Sequence, residues 1–302
     1  MLAGTEETLH RREPLEVNGA DTAIEALLAG LIDYAGLYPP ASLDMHSAVE
    51  NYRKYRAGPH AIALGRFIVD IKRVDELRAV AGKIEDLKLS VIISQPAQLR
   101  EACKLLDDGV PIEALEGKAA SPHDVEQMTR SFPANIEAYV EIPIADMPTD
   151  LLRAISDAGA RAKLRMGGVM ADAFPSADAV ARALEALTRA KVAFKATAGL
   201  HHPIRSRHPL TYAQDSPCGM MHGFINLICA ATLLHSGASV AEAKRALAEE
   251  DPAAWSLTPQ SLAWRSLCWS TDRLSKTRKE FVSFGSCSFE EPMRDLEALG
   301  WL

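Results

Sequence analysis

The sequence predicts an α/β protein whose eight strands close into a (β/α)8 barrel of the TIM type. Short apolar runs alternate with amphipathic helical patterns along the chain, as they do in repeated strand–helix units. The first seven strands begin roughly 24 to 32 residues apart, which accommodates one strand, one helix and two loops. A length of 302 residues is ordinary for such a barrel. An open, doubly wound sheet is the alternative, but the chain has neither a glycine-rich dinucleotide fingerprint nor a phosphate-binding P-loop.

The predicted strands are the short apolar runs between the helical patterns. They are Leu31–Ala35, Ala61–Val69, Leu87–Ser94, Pro111–Glu116, Ile136–Ile142, Ala160–Met166, Val192–Ala198 and Phe281–Phe284. Helix starts support this division, since Ser121 and Ser288 each stand three residues before an acidic side chain, as capping residues do. Ser42 and Ser176 are similar candidate starts for the first and sixth barrel helices.

The two ends of the predicted barrel depart from the regular repeat. Residues 1–20 are expected to form a flexible extension, and residues 21–302 a single barrel domain that opens with a helix over Thr22–Leu31 capped by Asp21. An enlarged segment between strands seven and eight predicts one loop and three helices. The loop is Pro203–Met221, and the helices are His222–Ser236, Val240–Glu250 and Pro259–Ser275. Because a long polar loop after a barrel strand is typical of a lid, we expect it to cover the barrel mouth.

Composition argues against several classes of protein. The net charge of −7 is untypical of a protein that coats nucleic acid or lies on a membrane surface. The five cysteines are scattered and odd in number, which disfavours a disulfide framework and favours a reducing compartment. The N-terminal residues contain no apolar run typical of a signal peptide. We therefore expect a cytoplasmic protein that binds a small molecule rather than nucleic acid or a membrane, and homo-oligomer formation is left open.

Two predicted strands place basic side chains inside the barrel. Alternate residues of a barrel strand point inward, and those near its C-terminal end face the active site in barrel enzymes. The apolar neighbours assign Lys163 and Arg165 of strand six to the interior, and likewise Lys195 and Thr197 of strand seven. Adjacent strands lie about 4.8 Å apart, so the two lysines are expected to be close neighbours.

Two neighbouring ammonium groups have a chemical consequence. Like charge and burial both favour the neutral form of one lysine, and a neutral amine attacks carbonyl carbons to form an imine. The alternative is structural, because Glu141 and Glu116 are available as interior partners for the lysines.

These strands carry a resemblance to a known family. Lys163 followed by a glycine pair, and Lys195-Ala-Thr-Ala-Gly199 on strand seven, are similar to class I aldolases of the deoxyribose-phosphate aldolase type. The resemblance implies that Lys163 forms a Schiff base and that Lys195 activates it. It is confined to these two strands. Arg165 and the segment at His201 have no counterpart in that family, and no residue clearly matches its acidic proton-relay group.

The predicted substrate-binding residues lie at strand ends or in the lid. They are Asp33, Tyr34, Arg66, Arg165, Thr197, His202, Arg205, Gly285 and Ser286. The arginines favour an anionic substrate, a carboxylate or a phosphate, and the alternative for each is a structural salt bridge. The Gly285-Ser286 turn precedes the last helix, whose N-terminus is a candidate anion site or is simply capped by Ser288. Cys287 lies in the same turn, but the sequence shows no base to pair with it.

The leading hypothesis is a lyase or aldolase that acts on a small anionic oxo-compound through an imine at Lys163. Glu141 or His201 moves the proton, and neither a cofactor nor a metal is expected. One alternative is a metal-dependent barrel hydrolase or lyase that uses Glu141, Asp33 and one of the two adjacent histidines, although no metal-binding motif is present. The other is a non-catalytic barrel that binds an anionic metabolite through the same basic cluster.

Overall fold

The computed structural model describes residues 22–302 except residues 131, 134 and 146. Its strands are β1 Ile32–Tyr34, β2 Leu64–Asp70, β3 Leu89–Ile92, β4 Ile112–Lys118, β5 Glu137–Ile142, β6 Arg161–Arg165, β7 Phe194–Thr197, β8 Ser206–Pro209, β9 Cys218–Met221, β10 Trp255–Thr258, β11 Ser261–Trp264, β12 Leu267–Ser270 and β13 Phe281–Ser286. Its α-helices are α1 Ala23–Leu28, α2 Met45–Ala57, α3 Val74–Ala81, α4 Leu99–Asp107, α5 Pro122–Arg130, α6 Thr149–Asp157, α7 Ala177–Ala190, α8 Phe224–His235, α9 Val240–Leu247, α10 Thr271–Glu280 and α11 Glu290–Ala298.

Eight parallel strands close into a barrel in the order β1-β13-β7-β6-β5-β4-β3-β2. Every barrel strand falls on one of the eight predicted runs, and all of the pairings around the barrel are parallel. The predicted (β/α)8 fold is therefore confirmed, and the open sheet is not formed. The C-terminal ends of the strands meet at one end of the barrel, called the mouth below.

Several helix starts are those that the sequence predicts. The hydroxyl groups of Ser121, Ser176 and Ser288 accept hydrogen bonds from backbone N–H groups three residues on. The start at Ser42 is wrong, because Asp44 caps α2 and Ser42 lies in a turn with a positive φ of 46°. The flexible extension over residues 1–20 and the cap at Asp21 lie outside the described residues, and Thr22 caps α1 in a capping box with Glu25.

The segment between β7 and β13 departs most from the prediction. Helices α8 and α9 lie where two of the three helices are expected, but the helix over Pro259–Ser275 is wrong. Residues 255–270 form the three-stranded antiparallel sheet β10-β11-β12, and only α10, which Ser270 caps, is helical. Trp255, Leu262, Trp264 and Trp269 are buried, because apolar residues alternate with polar ones at the period of a strand.

Helix α8 is mainly apolar and is buried around its whole circumference, because other helices and strand β13 surround it. All of its residues from Phe224 to Leu234 are buried, and it packs against α7, α9 and α10. Although apolar, α8 has only 12 residues, and no helix in the described part of the chain has the length and hydropathy needed to cross a membrane.

Asn226 of α8 links three backbone segments in this region. Its side chain is fully buried, donates hydrogen bonds to the carbonyl oxygens of Ala246 and Glu249 at 2.8 Å each, and accepts one from the N–H of Arg205 at 2.9 Å.

Replacing Asn226 by Leu removes the three bonds and leaves buried backbone groups without partners, so we expect the free energy of unfolding in urea to fall by about 3 kcal/mol. Asn51→Leu is the control, because Asn51 is only partly buried and makes one long contact of 3.4 Å. Equal losses in the two variants would contradict this account.

Candidate active site

The inside of the barrel contains a chain of alternating charges. Lys195 of β7 is fully buried, and its Nζ lies 2.5 Å from Asp33 Oδ2 of β1 and 2.7 Å from Glu116 Oε1 of β4. Hydroxyl groups complete the shell of the two carboxylates, since Ser283 donates to Asp33 at 2.8 Å and Ser90 donates to Glu116 at 2.6 Å. These contacts fix the orientation of Asp33, Lys195 and Glu116, the three charged groups at the inner end of this chain of charges.

Lys163 continues the chain toward the mouth. It is the register partner of Lys195 on the neighbouring strand, and its Nζ lies 2.8 Å from Glu116 Oε2 and 3.2 Å from Glu141 Oε2. The Glu116 contact is an ion pair whose angle is not that of a hydrogen bond. Glu141 in turn lies 3.3 Å from Arg165 Nε. Three carboxylates and three cations therefore alternate from the barrel centre to the mouth, with no net charge.

Mutual compensation keeps the buried groups ionised. Burial opposes the charged form of Glu116, but the ammonium groups of Lys163 and Lys195 outweigh it and hold the Glu116 pKa well below its usual range. Burial likewise lowers the pKa of Lys195, but Asp33 and Glu116 outweigh it and raise the pKa above its usual value. Lys195 is therefore an ammonium group at neutral pH. The direct contact between two lysines that the sequence analysis expects is replaced by a carboxylate bridge.

A cavity of about 350 Å³ opens above Lys163 at the barrel mouth. Its polar lining comes from strand ends and from the segments that follow them: Tyr38, Glu116, Lys163, Arg165, Thr197, His201, His202, Thr211, Tyr212, Cys287 and Glu291. Lys163 and Glu116 lie at the cavity wall, whereas Lys195 and Asp33 lie beneath it. Arg165 also borders a second cavity of about 840 Å³, which Lys118 and Glu141 help to line.

The segment after β7 lies over this cavity, as the lid prediction expects. It forms the antiparallel hairpin β8-β9 rather than an irregular loop, and Leu210, Thr211 and Tyr212 near its tip line the cavity. Tyr212 is 55% exposed, yet its hydroxyl group reaches to 3.7 Å from Cys287 Sγ.

His201 lies between a carboxylate and a thiol. Its Nδ1 is 2.7 Å from Glu291 Oε2, and its Nε2 is 3.9 Å from Cys287 Sγ. Burial opposes protonation of the imidazole, but hydrogen bonds with Cys287 and Glu291 outweigh it and raise the His201 pKa to about 9. His201 is therefore an imidazolium at neutral pH and is able to donate a proton to a bound substrate.

His202 points toward the last helix and the lid. Its Nδ1 lies 2.6 Å from Asp295 Oδ2 of α11, and its ring stacks on His208 of the lid with centroids 3.3 Å apart. Burial lowers the His202 pKa despite the neighbouring carboxylate, so a neutral ring faces the cavity at neutral pH. The two adjacent histidines thus have different protonation states.

The structure places five predicted substrate-binding residues away from the cavity. Asp33 lies beneath the cavity in its ion pair with Lys195, so its predicted contact with a substrate is wrong. Tyr34 follows the inward Asp33, so strand alternation turns it outward, where it packs on Tyr55 and Phe67. Arg66 points inward but near the N-terminal end of β2, where it pairs with Glu113 and Glu137. The predicted roles of Tyr34 and Arg66 in binding a substrate at the mouth are therefore wrong.

The other two residues are Arg205 and Ser286. Arg205 pairs with Glu250 at 3.3 Å, beyond the C-terminal end of α9, and does not line the cavity. Ser286 follows Gly285 and points away from the interior, and its hydroxyl group donates to the carbonyl oxygen of Ser288. Gly285 alone of the predicted anion-binding turn lines the cavity, and Ser288 caps the helix there.

The metal alternative requires residues that the structure keeps apart. Asp33 binds Lys195, Glu141 binds Lys163, and His201 binds Glu291. Within residues 22–302, apart from the three undescribed positions, no group of three or more His, Cys, Asp or Glu side chains is arranged to hold a metal ion.

The sequence analysis missed two functional candidates, Cys287 paired with His201 and the carboxylate of Glu291. Glu291 stands three residues after Ser288 and was interpreted only as a helix-capping acid. The order of the strands could have indicated the cluster. Strands β7 and β13 are neighbours in the barrel, and His201 and Cys287 each follow one of them.

Comparisons with known proteins identify no family. No protein-family model and no curated protein matches the chain. Among solved structures, the chain is similar to FabK from Thermotoga maritima, with 15% identity and a TM-score of 0.38 over 61% of this chain and 56% of that chain. It is also similar to nitroalkane oxidase from Streptomyces ansochromogenes, with 14% identity and a TM-score of 0.34 over 60% and 62% of the two chains. A glycerophosphoryl diester phosphodiesterase from Parabacteroides distasonis matches with 15% identity and a TM-score of 0.33 over 48% and 49%.

The matched part is less than two thirds of each of these structures. At these TM-scores the similarity carries no argument about the reaction, and none of the three proteins is named as an aldolase of the deoxyribose-phosphate type.

The raised pKa of His201 predicts a pH dependence of stability. Because its folded pKa of about 9 exceeds the ordinary value near 6.5, its contribution is complete below about pH 6.5 and is lost as the pH rises through 9. We expect the free energy of unfolding of the wild type to fall relative to His201→Asn by an amount on the order of 2 kcal/mol between pH 6.5 and 9.5. His123→Asn is the control, since His123 is exposed on α5. Parallel curves for the wild type and His201→Asn would contradict the assignment.

Proposed function

We propose that the barrel is a lyase of the aldolase type that acts on a small anionic oxo-compound through an imine at Lys163. The observation that carries this proposal is the position of Lys163, which lines the mouth cavity and whose ammonium group contacts two carboxylates. The resemblance of strands six and seven to class I aldolases supports it. Glu116 is an acidic group beside both lysines, whereas the sequence alone showed no clear match for the acidic proton-relay residue of that family.

Imine formation requires that the ammonium group of Lys163 lose one proton before its nitrogen attacks a carbonyl carbon. The N–C bond then forms as the π-electron pair moves to the carbonyl oxygen, the nitrogen loses a second proton, and the oxygen takes up two protons and leaves as water. Glu141 is the better proton acceptor of the two carboxylates, because its side chain is 13% exposed whereas that of Glu116 is 1% exposed. A proton on Glu141 can pass to solvent at the mouth, and His201 is available as a donor to the substrate oxygen.

Lys195 has a positioning role in this proposal. It is fully buried, does not line the cavity, and holds Glu116 between the two strands through a 2.7 Å contact. Its effect on Lys163 passes through Glu116 rather than through direct repulsion. Asp33, held by Lys195 and Ser283, belongs to the same support.

An anionic substrate is favoured by the cations at the cavity wall. Arg165 has a 54% exposed side chain that lines both cavities, so its guanidinium group is accessible to a carboxylate or a phosphate. Arg165 also pairs with Glu141, and a bound anion would compete for that contact.

Borohydride trapping tests the imine directly. The protein is incubated with pyruvate or dihydroxyacetone phosphate and reduced with sodium borohydride, and the modified residue is located by peptide mass spectrometry. We expect an adduct on Lys163 whose mass equals that of the probe minus one oxygen, since imine formation releases water and reduction adds two hydrogens. The Lys163→Arg variant should give no adduct.

Lys118→Arg is the matched control, because Lys118 is 78% exposed and lies near the same Glu141 at 3.8 Å. It should retain the adduct on Lys163. If both probes bind, as measured by calorimetry, but no lysine is trapped, the barrel is a binding protein rather than an imine enzyme. Trapping that is unchanged in Lys163→Arg would also overturn the proposal.

The bridge at Glu116 predicts a large effect on stability. Glu116→Gln keeps the size of the side chain but leaves two buried ammonium groups without their shared carboxylate, so we expect the free energy of unfolding to fall by about 3 kcal/mol or more. Glu113→Gln is the comparison, because the Glu113 side chain is 41% exposed in its pair with Arg66. A loss at Glu116 no greater than that at Glu113 would mean that the bridge contributes little.

A further inference from the structure

The mouth cavity has a second reactive group that the imine mechanism does not use. Cys287 follows β13, lies at the cavity wall and is only 6% exposed. His201 follows the neighbouring strand β7, and Glu291 lies in the first turn of α11. Two segments, one after each of these neighbouring strands, thus bring a thiol, an imidazole and a carboxylate together.

The order of these groups is that of a nucleophilic triad. Glu291 Oε2 contacts His201 Nδ1 at 2.7 Å, which directs His201 Nε2 toward the sulfur of Cys287 at 3.9 Å. A base beside the nucleophile, oriented by a third group, is the arrangement that activates serine and cysteine nucleophiles. Ser288 supports it, because its hydroxyl group accepts a hydrogen bond from the N–H of Glu291 at 3.1 Å and so fixes the start of the helix.

The lid adds a contact to the sulfur. The hydroxyl group of Tyr212 lies 3.7 Å from Cys287 Sγ. By contrast, Cys229 lies in the core of α8, where burial raises its pKa well above the usual value. Cys218 and Cys268 are exposed. Cys287 therefore differs from these cysteines in being buried beside an imidazole and at a cavity.

We propose that Cys287, His201 and Glu291 form a nucleophilic triad that adds the sulfur of Cys287 to the carbonyl carbon of a small aldehyde bound in the mouth cavity. The thiol proton lies on His201 Nε2 before the addition, so the sulfur attacks as the thiolate of a thiolate–imidazolium pair and forms the S–C bond. The π-electron pair of the carbonyl group moves to its oxygen, which then takes that proton from His201 Nε2 and leaves the imidazole neutral. The product is a neutral thiohemiacetal, and the step needs no oxidant or other reactant.

The raised pKa of His201 is consistent with this step, because it favours the imidazolium that exists once the thiol proton is on Nε2. The choice of an aldehyde rests on the proposed function, which places an oxo-compound in the same cavity. The reactivity of Cys287 rests on the triad alone and does not depend on an imine at Lys163.

Alkylation with iodoacetamide measures that reactivity. The sulfur displaces iodide from the probe, and the rate at each cysteine is followed by quantitative peptide mass spectrometry at pH 7.5. Cys218 and Cys268 serve as internal controls in every sample. We expect Cys287 to react at least ten times faster than either exposed cysteine, although it is nearly buried. His201→Asn and Glu291→Gln should each lower the Cys287 rate at least tenfold and leave the control rates unchanged.

Two variants are used because His201→Asn alters a buried side chain, whereas Glu291→Gln keeps the size of a residue that is 24% exposed. Circular dichroism and the control rates verify that each is folded. A Cys287 rate at or below that of the exposed cysteines would overturn the triad. A fast rate that neither substitution changes would overturn it as well.

Protection by glyoxylate, an anionic aldehyde, tests the substrate class. The measurement uses Lys163→Arg protein, in which no imine can form at that position. We expect glyoxylate to slow alkylation of Cys287 at least fivefold without slowing Cys218 or Cys268. Absence of protection would overturn the aldehyde assignment. Failed borohydride trapping combined with a fast, protected Cys287 would overturn the imine at Lys163 and support the triad.

Discussion

Glu116 lies between the ammonium groups of Lys195 and Lys163 in a barrel interior that contains charged side chains, whereas bulky branched residues usually dominate there. Each buried charge in this interior is stabilised by the next one along the chain from Asp33 to Arg165. Desolvation makes such an arrangement stable only when every member has its partner. The position of Lys163 at the cavity wall therefore depends in part on Lys195 and Asp33, which lie beneath the cavity.

Hydrophobic burial is concentrated in another layer of the molecule. The apolar residues of the strands face outward against the helices, as Ala162, Leu164 and Ala196 do, and all are fully buried. The excursion between β7 and β13 adds α8, whose circumference is covered by other helices and strand β13. This layer supplies the apolar burial that the polar interior lacks, so the residues at the mouth are held by a scaffold whose core lies outside the barrel.

The eight strands could be predicted from the sequence because each strand–helix unit needs a similar length of chain. The inward lysines could be predicted because side chains alternate between the two faces of a strand. Alternation does not say how far along the barrel axis a side chain lies, so Arg66 was expected at the mouth although it lies near the opposite end of its strand. The sheet over residues 255–270 was missed because Leu262 and Trp264, which are two residues apart on one face of β11, were interpreted as part of a helix. Contacts such as His201 with Glu291 link residues 90 positions apart, and no local pattern encodes them.

Helix α11 follows the last barrel strand, lies in the outer layer of helices and also contributes a side chain to the wall of the mouth cavity. Two of its carboxylates, Glu291 and Asp295, lie one helical turn apart on the same face and bind the two adjacent histidines separately. The distance between two carboxylates one helical turn apart on α11 therefore matches the distance between the imidazole rings of two consecutive residues after β7. A shift of α11 by one residue would release both imidazole rings together, so the direction of each ring is set by the register of a helix that completes the barrel's outer ring.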